Sequence, residues 1–134
     1  MFLRIQTDGG SRGNPGPSGI GVVIKDREGH VVEEHAKYLG TTTNNQAEYL
    51  AVILGLERCL ALGATEVEVV ADSELLIKQA KGEYRVKNPD LQLRFREMKG
   101  YEVQLKKVSY RHVRREFNTE ADALANQAMD LKAT

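Results

Sequence analysis

Polar and apolar residues alternate along residues 2–8, with Leu3, Ile5 and Thr7 on one side and Arg4, Gln6 and Asp8 on the other. A period of two places successive side chains on opposite faces of a pleat, so this segment predicts a half-buried strand ending in an aspartate. The run Gly9-Gly10-Ser11-Arg12-Gly13-Asn14-Pro15-Gly16-Pro17 reads as a dense turn. Residues 19–25 and 31–39 read as two more strands across the turn Asp26-Arg27-Glu28-Gly29, giving a three-stranded antiparallel meander.

The period then changes to that of a helix. Ala47, Leu50, Ala51 and Leu54, flanked by Val52, Ile53 and Leu56, predict a largely buried helix to about residue 62, capped by Thr43 or Asn44 and stopped by Gly63. Residues 66–72 form a fourth strand that again ends in an aspartate, Asp72. Ser73 caps a short helix to about residue 80, and Asn88-Pro89-Asp90 opens another to about residue 99, with proline in its first turn. Residues 103–113 alternate as a fifth strand. Asn118 or Thr119 caps a last helix, whose Ala121, Leu124, Ala125 and Ala128 make an i, i+3, i+4, i+7 stripe. The order βββαβααβα predicts an α/β fold in which helices flank a five-stranded mixed sheet.

A length of 134 residues with 41% hydrophobic content fits a single domain, residues 1–134, around one core. No apolar run approaches the ~20 residues that cross a bilayer, and the first ten residues lack a basic segment followed by an apolar one. A cytoplasmic protein without membrane contact is predicted. The single cysteine, Cys59, lies in a helical apolar pattern, as a small core residue does. Formal net charge is zero, but it is unevenly spread. Residues 1–77 hold 6 Lys/Arg and 11 Asp/Glu, residues 78–115 hold 12 and 4, and residues 116–134 hold 1 and 4. A basic middle segment can follow a phosphate backbone while the acidic remainder supplies metal ligands.

Asp8 and Asp72 close two strands of matching pattern. Were these parallel neighbours, both carboxylates would sit at one sheet edge, where open α/β sheets place ligands. Glu48 falls in the first turns of the long helix, and Asp122 near the start of the last. Each alone reads as a turn former or a helix-dipole partner. Four together would repel one another and call for compensating cations, and oxygen donors without a nearby thiol select Mg²⁺ or Mn²⁺.

The motifs Thr7-Asp8-Gly9-Gly10-Ser11 with Gly13-Asn14-Pro15-Gly16, Thr42-Thr43-Asn44-Asn45-Gln46-Ala47-Glu48, Ala71-Asp72-Ser73, Val86-Lys87-Asn88, His112, and Asn118 with Ala121-Asp122-Ala123-Leu124-Ala125 occur in this order. By them the chain resembles type 1 ribonuclease H over nearly its whole length. The resemblance implies an endonuclease that hydrolyses the RNA strand of RNA–DNA hybrids and leaves 5′-phosphate and 3′-hydroxyl ends. It implies two metal ions, Mg²⁺ with Mn²⁺ able to substitute, held by Asp8, Glu48, Asp72 and Asp122, with His112 as an auxiliary for proton movement or product departure. It also implies that Gly13, Asn14, Asn44, Asn45 and Gln46 face the minor groove, and that Asn14, Thr43 and Asn88 form a pocket for a DNA-strand phosphate.

Two features depart from that family. The long basic helix that some members carry before the Val86-Lys87-Asn88 motif is missing, and Thr41 stands where some relatives place a basic residue. Grip on the hybrid then falls to Lys81, Arg85, Lys87, Arg111, Arg114 and Arg115, with Tyr84 as an aromatic platform. No separate hybrid-binding domain before Asp8 and no obligate protein partner are expected, and a monomer is expected. The acids alone would also suit a resolvase or exonuclease of the same broad superfamily, or a hybrid-binding module without catalysis. The Thr43-Asn44-Asn45-Gln46 segment argues against the former, and the full set of four acids against the latter.

Overall fold

The computed structural model describes residues 1–132. Three antiparallel strands open the chain: β1 (Phe2–Ser11), β2 (Gly16–Lys25) and β3 (Val31–Thr42). They are followed by α1 (Asn44–Ala61), β4 (Glu66–Ala71), α2 (Glu74–Ala80), α3 (Pro89–Gln104), β5 (Lys107–His112), a 3₁₀ turn at Arg115–Phe117, and α4 (Thr119–Leu131). The sheet order is β3-β2-β1-β4-β5. β4 lies parallel to both β1 and β5, so the predicted mixed five-stranded sheet is what forms.

One face of the sheet carries the main core. Leu3 and Ile5 of β1 and Val67 and Val69 of β4 are at most 2% exposed, and they pack with α1, α2 and α3 in one apolar cluster. Each such side chain contributes ~1.5–3 kcal/mol on burial. Cys59 lies inside the same cluster. On the other face α4 seats against β2. A Cβ on Gly19 would come 2.8 Å from the Ala125 carbonyl, and one on Gly21 would come 2.8 Å from the Leu124 Cβ. The bare glycine strand lets α4 approach closely, and that approach sets the height of Asp122.

Three predicted boundaries are corrected. The glycine-rich run is mostly strand, because Gly9, Gly10 and Ser11 pair with Ile20, Gly19 and Ser18, which leaves only residues 12–15 as the turn. The helix predicted to end near residue 99 runs to Gln104, and β5 begins at Lys107, not at residue 103. The alternation at Val103 is misleading, since that side chain is 82% exposed, while Met98 and Leu105 are fully buried and Tyr101 packs against them at helical spacing. The Glu102 carboxylate anchors this last turn, accepting from the Tyr110 hydroxyl at 2.6 Å and pairing with Lys99 at 3.0 Å. Among the described residues no helix is long and apolar enough to cross a membrane.

Candidate active site

Parallel pairing aligns the ends of three strands. Thr7 lies opposite Ala71, and Ala71 opposite His112, so the next residues, Asp8 and Asp72, emerge side by side at one sheet edge. Gly9 brings in the third acid. A Cβ there would lie 2.6 Å from the Glu48 amide nitrogen and closer still to the Ala47 carbonyl group, so only glycine lets α1 lean over the end of β1. The Thr43 side chain caps α1 by accepting from the Gln46 N–H at 3.2 Å, fixing the helix start and with it Glu48 one turn later. Asp122 arrives from the opposite face in the first turn of α4.

These four carboxylates line one cleft of about 410 Å³, together with Gly10, Arg12, Asn44 and Arg115. Their crowding is visible in their acidities. Burial, then the neighbouring Asp72 and Asp122 carboxyls, push Asp8 up to about 8. Burial also raises Glu48 to about 6, against the Ser73 hydroxyl and the Asn44 amide, which stabilise its ionised form. Asp72 is raised by burial in spite of the Arg115 guanidinium nearby. Without a cation, the site holds protons that isolated carboxyls would release. The polar neighbours orient the acids. Asn44 Nδ2 donates to Glu48 Oε1 at 3.2 Å, and an Arg115 guanidinium nitrogen donates to Asp122 Oδ1 at 3.3 Å.

Beside this cleft lies a second cavity of about 290 Å³, lined by Asn14, Thr43, Asn45, Gln46, Asn88 and the first turn of α3. The N-termini of α1 and α3 both open on it, so the positive ends of two helix dipoles face an entering anion, while caps take most of the first N–H groups: Asn14 accepts from Asn44, Thr43 from Gln46, and Asn88 from Asp90 and Leu91. The structure thus brings together the residues expected for the groove and the phosphate pocket, apart from Gly13, which lines neither cavity and occupies the exposed turn with φ +95°. His112 is exposed at the end of β5 and stands beside the acidic cleft without lining it.

Other expected contacts lie elsewhere. Tyr84 and Arg85 line a separate groove of about 510 Å³ against α3, with Lys78 Nζ lying 4.9 Å from the Tyr84 ring centroid. Lys87 is exposed between α2 and α3 and lines none of these three cavities. Arg111 is paired with Glu68 at 3.4 Å. Asp26, Glu28 and His30 form another group of candidate ligands at the β2–β3 turn. There Asp26 Oδ1 already accepts from the Glu28 and His30 N–H groups, which is how this turn is held.

Two contributors have roles that the sequence does not show. Asn118, a motif residue read as a helix cap, makes no side-chain cap bond and instead donates to the Thr7 carbonyl from a fully buried position. Asn126 donates to the Asp122 carbonyl at 3.0 Å and accepts from Arg12 at 3.3 Å, which ties the glycine turn to α4. Their spacing to Asp122, and for Asn118 its place in the motif, does not reveal a partner 111 residues away.

Comparison with known proteins follows this geometry. Residues 6–128 match the family described as "Reverse transcriptase-like". The bifunctional protein Rv2228c of Mycobacterium tuberculosis is 44% identical over 134 residues; the alignment covers 99% of this chain but 37% of that protein. The structure of LC11-RNase H1 in complex with RNA/DNA hybrid superposes with a TM-score of 0.93 at 43% identity, covering 98% of this chain and 99% of that one. RNase H1 from the halophilic archaeon Halobacterium salinarum gives a TM-score of 0.94 at 38% identity, covering 97% and 98%.

Proposed function

Since the chain belongs to the ribonuclease H family, we propose that it is an endonuclease that hydrolyses the RNA strand of RNA–DNA hybrids, leaving 5′-phosphate and 3′-hydroxyl ends. The observation that carries this reading is the convergence of Asp8, Glu48, Asp72 and Asp122 on one cleft beside a cavity rimmed by two helix N-termini.

The donor set fits hard divalent cations. It consists of carboxylate oxygens, without a thiol on the cleft lining, and burial with mutual repulsion makes a cation a better counter-charge than retained protons. Asp8, Glu48, Asp72 and Asp122 would hold two ions, Mg²⁺ or Mn²⁺. When bound, these supply Lewis-acid charge for water activation and for the leaving oxygen. The chain itself does the positioning. Asn44 and Ser73 favour the ionised form of Glu48 against its burial. Arg115, exposed at the mouth, can reach a phosphate as readily as Asp122. His112, at the rim, is placed to carry a proton to or from the departing product. Asn14, Asn44, Asn45 and Gln46 offer amides to the minor groove, where 2′-hydroxyls separate RNA from DNA.

The test is incubation with an end-labelled hybrid in Mg²⁺ or EDTA, followed by end-group analysis. RNA fragments with 5′-phosphates in Mg²⁺ only, lost in Asp8→Asn, Glu48→Gln and Asp72→Asn, are expected. Binding without cleavage by the parent chain would favour the hybrid-binding module.

A further inference from the structure

Four amide side chains line the cavity beside the acids, those of Asn14, Asn45, Gln46 and Asn88, and in three of them the oxygen is already engaged. Asn14 Oδ1 accepts from the Asn44 N–H at 3.1 Å. Asn88 Oδ1 accepts from the Asp90 and Leu91 N–H groups at 2.8 and 3.3 Å. Gln46 Oε1 accepts from Arg94 Nε at 3.0 Å. A primary amide has an acceptor end and a donor end, so tying the oxygen turns the NH₂ toward whatever enters.

For Asn14 and Asn88 the partner is backbone and belongs to a helix start. For Gln46 it is a side chain. A guanidinium has five donors and no acceptor, so Arg94 can meet only the oxygen end of that amide. Arg94 is itself braced from α3, where Glu97 Oε1 accepts from its Nη1 at 2.8 Å. Asp90, one turn before Arg94, is the acidic residue on the lining.

We infer that Arg94 sets the hydrogen-bonding polarity of this cavity: by fixing Gln46 as a donor it joins Gln46 to Asn14 and Asn88 in a set of three amide donors that favours an acceptor-only ligand, a phosphodiester of the bound duplex. Arg94 is a positioning residue acting through Gln46. This deepens the hybrid-cleavage reading and rests on it. It also accounts for how the cavity manages with Thr41 in place of a basic residue, since two helix dipoles and three oriented amides need no formal charge.

The experiment measures binding in EDTA of short hybrids whose DNA strand carries one neutral methylphosphonate, stepped along the strand. In the parent chain one position should weaken binding by about tenfold, the worth of one lost hydrogen bond to a charged group. In Arg94→Met the unmodified hybrid should bind about tenfold less well and the positional effect should shrink to within about twofold, whereas Arg94→Lys, also donor-only, should largely restore both. Adding Arg94→Met to Gln46→Met should change nothing further, because the two act as one unit. Additive losses, or a full positional effect in Arg94→Met, would overturn the inference and leave the hybrid reading intact. No positional effect in the parent chain would overturn the inference alone, whereas the hybrid reading falls only if the parent chain neither binds the hybrid nor cuts it in Mg²⁺.

Discussion

The side-chain amide of Asn118 donates to the backbone carbonyl of Thr7 at 2.9 Å, joining residues 111 apart in the chain. Thr7 immediately precedes Asp8, and the Asn118 carbonyl accepts the Asp122 N–H at 3.1 Å. The same amide helps to stabilise the ionised form of Asp72. One fully buried residue therefore ties β1, β4 and α4 together behind three of the four acids.

Asn118→Ala leaves the Thr7 carbonyl without its donor, a loss of ~1–3 kcal/mol for a buried group. Asn118→Asp is expected to be worse, because it sets a carboxylate oxygen against that carbonyl oxygen and a further charge against the acids. Urea melts together with hybrid cleavage should rank the parent first, Asn118→Ala second and Asn118→Asp last in both stability and turnover. Equal turnover in all three would mean that the tether does not hold the site.

The crowded acids make the metal-free protein sensitive to pH. Burial and the neighbouring acids push Asp8 up to about 8 in the folded chain, against an ordinary value of 3.8. Between those values the folded state binds more protons than the unfolded state, so stability falls as pH rises. In EDTA the melting temperature should drop from about pH 4 toward pH 8, and Asp8→Asn should flatten the drop and melt higher at the alkaline end. Millimolar Mg²⁺ should stabilise the parent more than the variant. A parent Tm that rises through this window in EDTA would contradict the clustering.

His112→Ala should slow turnover by ~10²-fold while leaving it measurable, since a proton carrier contributes on that scale. Single-turnover cleavage is the check, and total loss would point instead to a direct hold on the nucleophile or its ligands.

Two glycines should respond in opposite directions. Gly9→Ala drives a methyl into the backbone of α1 beside Glu48, and is expected to cost ~1–3 kcal/mol or more and to depress cleavage. Gly100, inside α3 with nothing within 4 Å of a Cβ, should gain ~0.5–1 kcal/mol as alanine without change in activity. Guanidinium melts of both variants decide it.

What could be read from the sequence follows from which interactions are local. The period of residues 2–8 predicts Leu3 and Ile5 inside and Asp8 at a strand end, because strand geometry alone sets that pattern. Thr43 and Ser73 are legible as caps, since a cap reaches only three residues ahead. Residues 100–105 misled because Val103 mimics strand alternation, while the helix there is held by Tyr110, a residue of another element. The roles of Asn118 and Arg94 depend on partners 111 and 48 positions away, which no local pattern carries. The acids could be proposed as a group only because motif order placed them together; that β1 and β4 are parallel neighbours is a fact of the fold.

Strand choice tests the central proposal most directly. A hybrid whose RNA strand contains a short block of 2′-deoxy sugars is incubated with the protein and Mg²⁺, and the cut positions are mapped. Amides placed for 2′-hydroxyls lose their partners inside the block, at ~1–3 kcal/mol for each buried group left unmet. Cleavage should stop within the block, continue in the flanking ribonucleotides and spare the DNA strand. Undiminished cutting inside the block would show that the protein does not read the 2′-hydroxyl, and the reading as a ribonuclease acting on hybrids would fall.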